Sequence, residues 1–235
     1  MFLPLEKISA AAKDLRVPLD GAALERFDVY AQLIAEYNKN INLTAITDPE
    51  EMAVKHFIDS LTVLSACGLK PGERAADVGT GAGFPGAVML MARPKLEITL
   101  IDSLKKRLDV IGSILKKLGL KAELAHIRAE DAGRGAYRER FDLVTARAVA
   151  DMRVLSELCL PLCKKGGVFA AMKGPDPEAE LENARPIIAE SGGEIGKTEA
   201  FVLPDGSRRN IIIIKKISQT PTKFPRRISK INKEK

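Results

Sequence analysis

The chain has 235 residues, 46% of them hydrophobic, enough to build one substantial domain with a small appendage. No run approaches about 18 apolar residues, and Pro4, Glu6 and Lys7 interrupt the apolar start, which excludes a membrane span and a signal peptide and predicts a soluble, cytoplasmic protein. The net charge is +6, but Lys215 to Lys235 alone holds eight Lys or Arg against one acid, Glu234, so the rest of the chain is close to neutral. Such a basic end is either a solvated segment or a cationic arm that attracts phosphates.

In chain order, residues 1–70 read as a helical extension. Asp20 suits an N-cap for a helix carrying Leu24, Phe27, Ala31 and Ile34 at spacings of three and four, ending near Asn38 to Asn42. Asp48-Pro49-Glu50-Glu51 joins a capping acid, proline at the first helical position and a glutamate three after the cap. The helix it opens holds Met52, His56, Ile58, Leu61 and Leu64 and stops at Gly68.

Residues 71–217 then alternate. Apolar runs predict strands over 74–79, 97–102, 122–127, 141–146, 167–172, 195–202 and 209–217, with helices over 86–92, 103–118, 151–163 and 177–191. The first five strands, joined by crossovers, predict a doubly wound parallel sheet. The last two are separated only by Pro204-Asp205-Gly206-Ser207 and predict an antiparallel hairpin. Residues 218–235 form the basic C-terminal tail.

The most informative stretch is Asp77-Val78-Gly79-Thr80-Gly81-Ala82-Gly83-Phe84-Pro85-Gly86. It follows a strand and precedes an apolar helix, and the next strand ends in a carboxylate, Asp102, placed to meet the two hydroxyls of a ribose. Glycines at 79, 81 and 83 let a ligand approach the backbone. A dinucleotide and S-adenosylmethionine both suit such a unit. Asp77, an acid ahead of the first glycine, opposes a pyrophosphate but suits a ligand bearing an ammonium and a sulfonium, which favours the methyl donor.

Ligands of open α/β sheets sit beyond the carboxyl ends of the strands. After the third strand, Ala129 and Glu130 can bracket an adenine edge, or Glu130 simply favours a helix N-terminus. After the fourth comes Arg147, where enzymes methylating exocyclic amines carry Asn-Pro-Pro-Tyr or Asp-Pro-Pro-Tyr; neither occurs in this chain. An arginine there can grip the O6 and N7 face of guanine, a phosphate or a donor carboxylate, or form a surface ion pair. Cys159 and Cys163, four apart on an apolar helix, and Cys67 beside a helix-ending glycine read as packing residues rather than nucleophiles, and their odd number points to a reducing compartment. His56 and Asp59 share a helical face, either as a structural pair or as an RNA contact. No His, Cys and acid cluster has metal-site spacing.

Several strings together resemble one family: Asn42-Leu43-Thr44-Ala45-Ile46, His56-Phe57-Ile58-Asp59-Ser60-Leu61, Asp77 to Gly86, Asp102 to Arg107, Arg128-Ala129-Glu130, Ala146-Arg147-Ala148-Val149-Ala150, Met172-Lys173-Gly174 and Phe224-Pro225-Arg226-Arg227. They are similar to the signature blocks of the RsmG (glucose-inhibited division protein B) family of bacterial small-subunit rRNA guanine-N7 methyltransferases. The resemblance implies a class I S-adenosylmethionine-dependent methyltransferase fold and transfer to N7 of a 16S rRNA guanine, guanine 527 of that RNA. It implies a donor site of Asp77, Gly79, Gly81, Gly83, Phe84, Asp102, Ala129, Glu130 and Arg147, with Arg147 positioning donor and target. His56, Lys173, Arg226 and Arg227 become RNA-contact candidates. The partner is 16S rRNA or the small ribosomal subunit, with no membrane and no metal, and the chain acts as a monomer. The sequence departs from the family in its tail, where Ile228-Ser229-Lys230-Ile231-Asn232 stands in place of the usual glycine and prolines. Because guanine N7 carries a free lone pair, no general base is expected.

Overall fold

The computed structural model of the chain describes residues 1–70 and 72–231. The extension contains α1 (Leu5–Asp14), α2 (Gly21–Asn38), α3 (Pro49–Met52), a π-helical turn over Ala53–Ile58, and α4 (Asp59–Cys67). Then come β1 (Arg74–Val78), α5 (Gly86–Ala92), β2 (Glu97–Asp102), α6 (Lys105–Lys117), β3 (Glu123–His126), α7 (Ala129–Arg134), β4 (Phe141–Arg147) and α8 (Met152–Cys159). A 3-10 turn over Leu160–Leu162 leads to β5 (Cys163–Lys173), α9 (Glu178–Glu190), β6 (Gly193–Val202), β7 (Arg208–Lys216) and α10 (Ile228–Ile231). Among the described residues no helix is long and apolar enough to cross a membrane.

The expected caps form. Asp20 accepts from the Ala23 amide and Asp48 from the Glu51 amide, which satisfies first-turn donors that have no partner inside the helix. Gly68 closes α4 in the left-handed region, at φ 56°.

The seven strands form one sheet in the order β3-β2-β1-β4-β5-β7-β6. Pairings from β3 through β5 are parallel, whereas β7 runs antiparallel to both β5 and β6. Side-chain alternation sends successive residues to opposite faces. In β7, Ile211 and Ile213 join one core while Ile212 and Ile214 join the other. The first core takes in α1, α2, α4, α5 and α6, so the extension is one layer of the domain and not a separate body. The second core takes in α8, α9 and buried residues of the C-terminal segment.

Three expectations need correction. Residue 163 does not continue the helix from 151: α8 stops at Cys159, Pro161 sits in the 3-10 turn, and Cys163 opens β5 four residues ahead of the predicted strand. The π-helical turn lies inside the helix predicted from Asp48, where apolar spacing alone indicates an uninterrupted α-helix. The basic tail is not a solvated arm over its described length, because residues 218–231 lie against the body with Thr220, Phe224 and Ile231 buried. Residues 232–235 of that prediction lie outside the described residues.

Candidate functional site

The strand order reverses between β1 and β4, and open sheets of this kind offer a crevice at that switch point. Two cavities meet there. One, of about 360 Å³, is bordered by Gly79, Asp102, Ala129, Glu130, Arg147 and Ala148. The other, of about 500 Å³, is bordered by Lys55, His56, Asp59, Arg147, Lys173 and Arg209. Arg147 and Ala148 border both.

In the first cavity the loop after β1 is pinned before any ligand arrives. The amides of Gly79 and Thr80 donate to the Ile101 carbonyl at 2.8 and 3.1 Å, which ties the loop to the end of β2. Gly79 holds φ 70°, and a Cβ there would lie 2.6 Å from Val149 Cγ2, so only glycine leaves room. Asp102 is buried, accepting from the Gly81 amide at 3.0 Å and the Leu104 amide at 2.8 Å. Two backbone donors hold a carboxylate in place while leaving it acceptor capacity for vicinal hydroxyls.

Asp77 is fully buried behind the loop. One oxygen, Oδ2, accepts from Thr80 Oγ1 at 2.7 Å and the Gly86 amide at 2.9 Å, whereas Oδ1 has no partner among the described residues. Burial raises its pKa to about 6, against the opposing pull of those hydrogen bonds and of Arg147. Such a carboxyl is stabilised either by taking up a proton or by a nearby positive charge. The donor expected from the sequence fits this set through a cavity within the usual small-ligand range and a fixed acceptor for a ribose, with the negative charge of Asp77 behind the loop and not on the cavity wall.

The predicted donor residues divide. Gly79, Asp102, Ala129, Glu130 and Arg147 border the first cavity. Asp77, Gly81 and Gly83 shape its loop from behind. Phe84 departs most, because its ring is buried in the extension, stacked on His56 at 4.3 Å between ring centres and edge-on to Tyr30 and Phe57. Its large apolar ring finds its contacts there.

In the second cavity Arg147 is held on every side. Its Nη1 donates to the Lys55 carbonyl at 2.7 Å and to Asp59 Oδ2 at 3.0 Å, its Nη2 lies 3.2 Å from His56 Nδ1, and its carbon sits 5.4 Å above the Phe84 ring. His56 Nδ1 also lies 3.1 Å from the Lys55 carbonyl, and its Nε2 lies 2.8 Å from Thr44 Oγ1, so both ring nitrogens are engaged inside the protein. Burial, then the Arg147 charge, lowers the His56 pKa to about 3, so the ring is neutral. Asp59, 1% exposed, also receives Arg209 Nε at 2.6 Å.

Of the RNA-contact candidates, Lys173 borders the second cavity, where it pairs with Glu180 at 2.5 Å and donates to the Ala150 carbonyl. His56 is buried and braces Arg147. Arg226 is committed to Glu157, with bonds of 2.8, 2.9 and 2.7 Å, so its charge is spent inside the protein. Arg227 is exposed. The sequence reading missed Lys55, Glu180 and Arg209. Arg208-Arg209-Asn210 ahead of an all-isoleucine run was the available signal, since charge at the mouth of a buried strand needs a partner.

Burial pushes the Cys67 and Cys163 thiols up to about 12 and raises Cys159 as well, which leaves none of them an activated nucleophile. Among the described residues no three His, Cys, Asp or Glu side chains converge to hold a metal.

Solved structures with this fold include a putative methyltransferase from Bacillus halodurans, with TM-score 0.54, 16% identity and coverage of 68% of this chain and 99% of that one. TrmN from Thermus thermophilus is similar at TM-score 0.55 and 19% identity, over 68% of this chain and 48% of that one. These likenesses establish the architecture, a class I methyltransferase fold. Sequence relatives carry the lineage. The ribosomal RNA small subunit methyltransferase G of Oceanobacillus iheyensis is 46% identical over 232 residues, 97% of this chain and 98% of that protein. Its namesake from Lactobacillus acidophilus is 48% identical over 207 residues, 86% of each. The family model for GidB, rRNA small subunit methyltransferase G, matches residues 23–211, and the chain belongs to that family.

Proposed function

We propose that this chain transfers a methyl group from S-adenosylmethionine to N7 of a guanine in 16S rRNA. The observation that carries the reading is the pair of cavities with Arg147 and Ala148 as their common border, one containing the fixed Asp102 carboxylate beside the glycine loop and the other bordered by Lys55, Lys173 and Arg209. Family membership supplies the substrate class. The substrate class is consistent with action in the cytoplasm, where rRNA is made, and the chain is read as acting as a monomer.

When bound, the donor supplies an electrophilic methyl on a sulfonium. Asp102 holds the ribose hydroxyls, Asp77 provides negative charge for the ammonium, and Ala129 and Glu130 border the base. Lys55, Arg147, Lys173 and Arg209 outnumber Asp59 and Glu180 around the second cavity, and the net positive charge left after their pairing draws a phosphate backbone. Arg147, clamped by Asp59, His56 and the Lys55 carbonyl, offers a fixed edge against which the guanine is placed. Phe84 and His56 support that edge from below. Guanine N7 needs no deprotonation, so placement and exclusion of water are what the protein contributes. The neutral, internally bonded His56 agrees with a reaction that has no proton relay.

The test is transfer of labelled methyl from the donor to unmodified 16S rRNA and to small subunits lacking the modification. Incorporation into a single guanine is expected. Failure to bind S-adenosylhomocysteine, or to methylate either substrate, overturns the proposal.

A further inference from the structure

We propose that the C-terminal segment 218–231 is part of the donor site, with Ile228 forming a wall for the adenine ring, and that it is not a cationic arm for RNA. The inference rests on the methyl-donor reading above. It starts from where the segment is tied. Lys216, buried at the end of β7, donates to the Leu160 and Ser191 carbonyls at 2.9 and 3.1 Å and to Thr220 Oγ1. Glu139 accepts the Thr220 amide at 2.8 Å. Arg138 reaches the carbonyls of Thr220 at 2.5 Å and Phe224 at 2.8 Å, and Arg134 Nε reaches the Pro225 carbonyl at 2.7 Å. Glu157, fully buried, binds both the amide and the guanidinium of Arg226, and Arg153 donates to the Ile231 carbonyl at 2.8 Å.

Some of these anchors lie on two helices, and the others on the loop after α7 and the end of β7. Gly133 and Arg134 belong to α7, which presents Ala129 and Glu130 to the donor cavity from its other end. Arg153 and Glu157 belong to α8, which presents Val154 and Leu158. The segment therefore crosses the backs of both helices that border the cavity. Gly133 is shaped for the crossing, because a Cβ there would lie 3.0 Å from Pro225 Cγ and 3.2 Å from Pro161 Cβ.

Past this clamp the chain turns into α10, and Ile228 itself borders the cavity with Ala129, Val154 and Leu158. That end of the cavity is apolar, whereas the end at Gly79 and Asp102 offers backbone and carboxylate. A purine has apolar faces and a polar edge, so the apolar end takes its face and Glu130 its edge. Of the four cations described in the segment, Arg226 is paired with buried Glu157 and Lys223 with Glu190 at the surface at 3.0 Å, whereas Arg227 and Lys230 are exposed.

Isothermal titration of full-length Ile228→Ala and Ile228→Asp with S-adenosylhomocysteine, and separately with adenosine, tests the assignment. Ile228 is only half-buried, so the folded state should survive, and the melting temperature without ligand checks this. Affinity for both ligands should fall by about tenfold in Ile228→Ala, as expected for losing two to three buried carbons, and further in Ile228→Asp. The KM for donor should rise in parallel while the KM for RNA stays put. Unchanged affinity in both variants overturns the proposal, as does a rise confined to the KM for RNA. Should the unsubstituted protein itself bind no S-adenosylhomocysteine, the methyl-donor reading is what fails.

Discussion

Asp59 bears more of the site than its position in an apolar helix suggests. At 1% exposure it balances two guanidinium groups, Arg147 from β4 and Arg209 from β7. A buried ion pair is costly to break singly, because the remaining charge stays desolvated. Asp59→Asn should cost about 3 kcal/mol of stability and, by freeing Arg147, lower kcat about a hundredfold. Its affinity for S-adenosylhomocysteine should stay near that of the unsubstituted protein, since Asp59 borders only the second cavity. Thermal melting and steady-state kinetics separate the two effects; an unchanged kcat would remove Arg147 from the reaction.

Asp77 gives the pH dependence. Its carboxyl, raised to about 6 by burial, is charged above that pH in the ligand-free protein and neutral below it. Only the charged form opposes an ammonium, so donor affinity should hold above pH 6 and fall about tenfold per unit below it, as one proton must be removed before binding. The methyl-transfer step itself should be flat over roughly pH 6 to 9, because no side chain exchanges a proton during it. Single-turnover rates at saturating donor measure that step, and a bell-shaped profile would reveal a base. Asp77→Asn should abolish the acid limb of donor binding and weaken binding at neutral pH.

At the scale of elements, the extension reaches into the glycine loop. Tyr30 of α2 donates to the Ala82 carbonyl at 2.8 Å, and a Cβ on Gly83 would strike the same phenol, so helix and loop are fitted to each other. Tyr30→Phe leaves a buried carbonyl unpaired and should cost about 1 to 3 kcal/mol, read as a lower melting temperature, with a raised KM for donor. An unchanged KM would show that the loop holds its shape without the extension. The π-helical turn at 53–58 is the other contribution of this layer, because it leaves the Lys55 carbonyl available to Arg147.

Much of this arrangement is legible in residue order, since strand, glycine loop and terminal acid are local signals. Asp77, Gly79, Asp102 and Arg147 stand out in the sequence because they lie where apolar runs stop. The Asp59–Arg209 bond does not, because it spans 150 positions and depends on the register of the β5–β7 pairing. The ring of Phe84 is hard to place for a related reason: its position in the loop is visible in sequence, but the rotation of its ring into the extension is decided by Tyr30, His56 and Phe57. α7 has six residues, too few for a periodicity to show, and α1 was passed over beside the proline and charges that excluded a signal peptide.

For the molecule as a whole, the sheet divides labour between its faces. The extension braces the second cavity, while α7, α8 and the C-terminal segment brace the first. Lys55, Lys173 and Arg209 border the second cavity and not the first, so their charge acts on the RNA more than on the donor. Raising salt from about 50 to about 200 mM should raise the KM for RNA steeply, as phosphate contacts release counterions, and leave the affinity for S-adenosylhomocysteine nearly constant. Equal salt sensitivity of both would place the cations at the wrong cavity.

The central claim is a methyl donor and a guanine ring nitrogen meeting across Arg147 and Ala148. Mass-spectrometric mapping of unmodified 16S rRNA after incubation with the protein and donor tests it most directly. The account predicts one added methyl, on N7 of one guanine. Methylation of an exocyclic amine or of another base, or none at all, would contradict it.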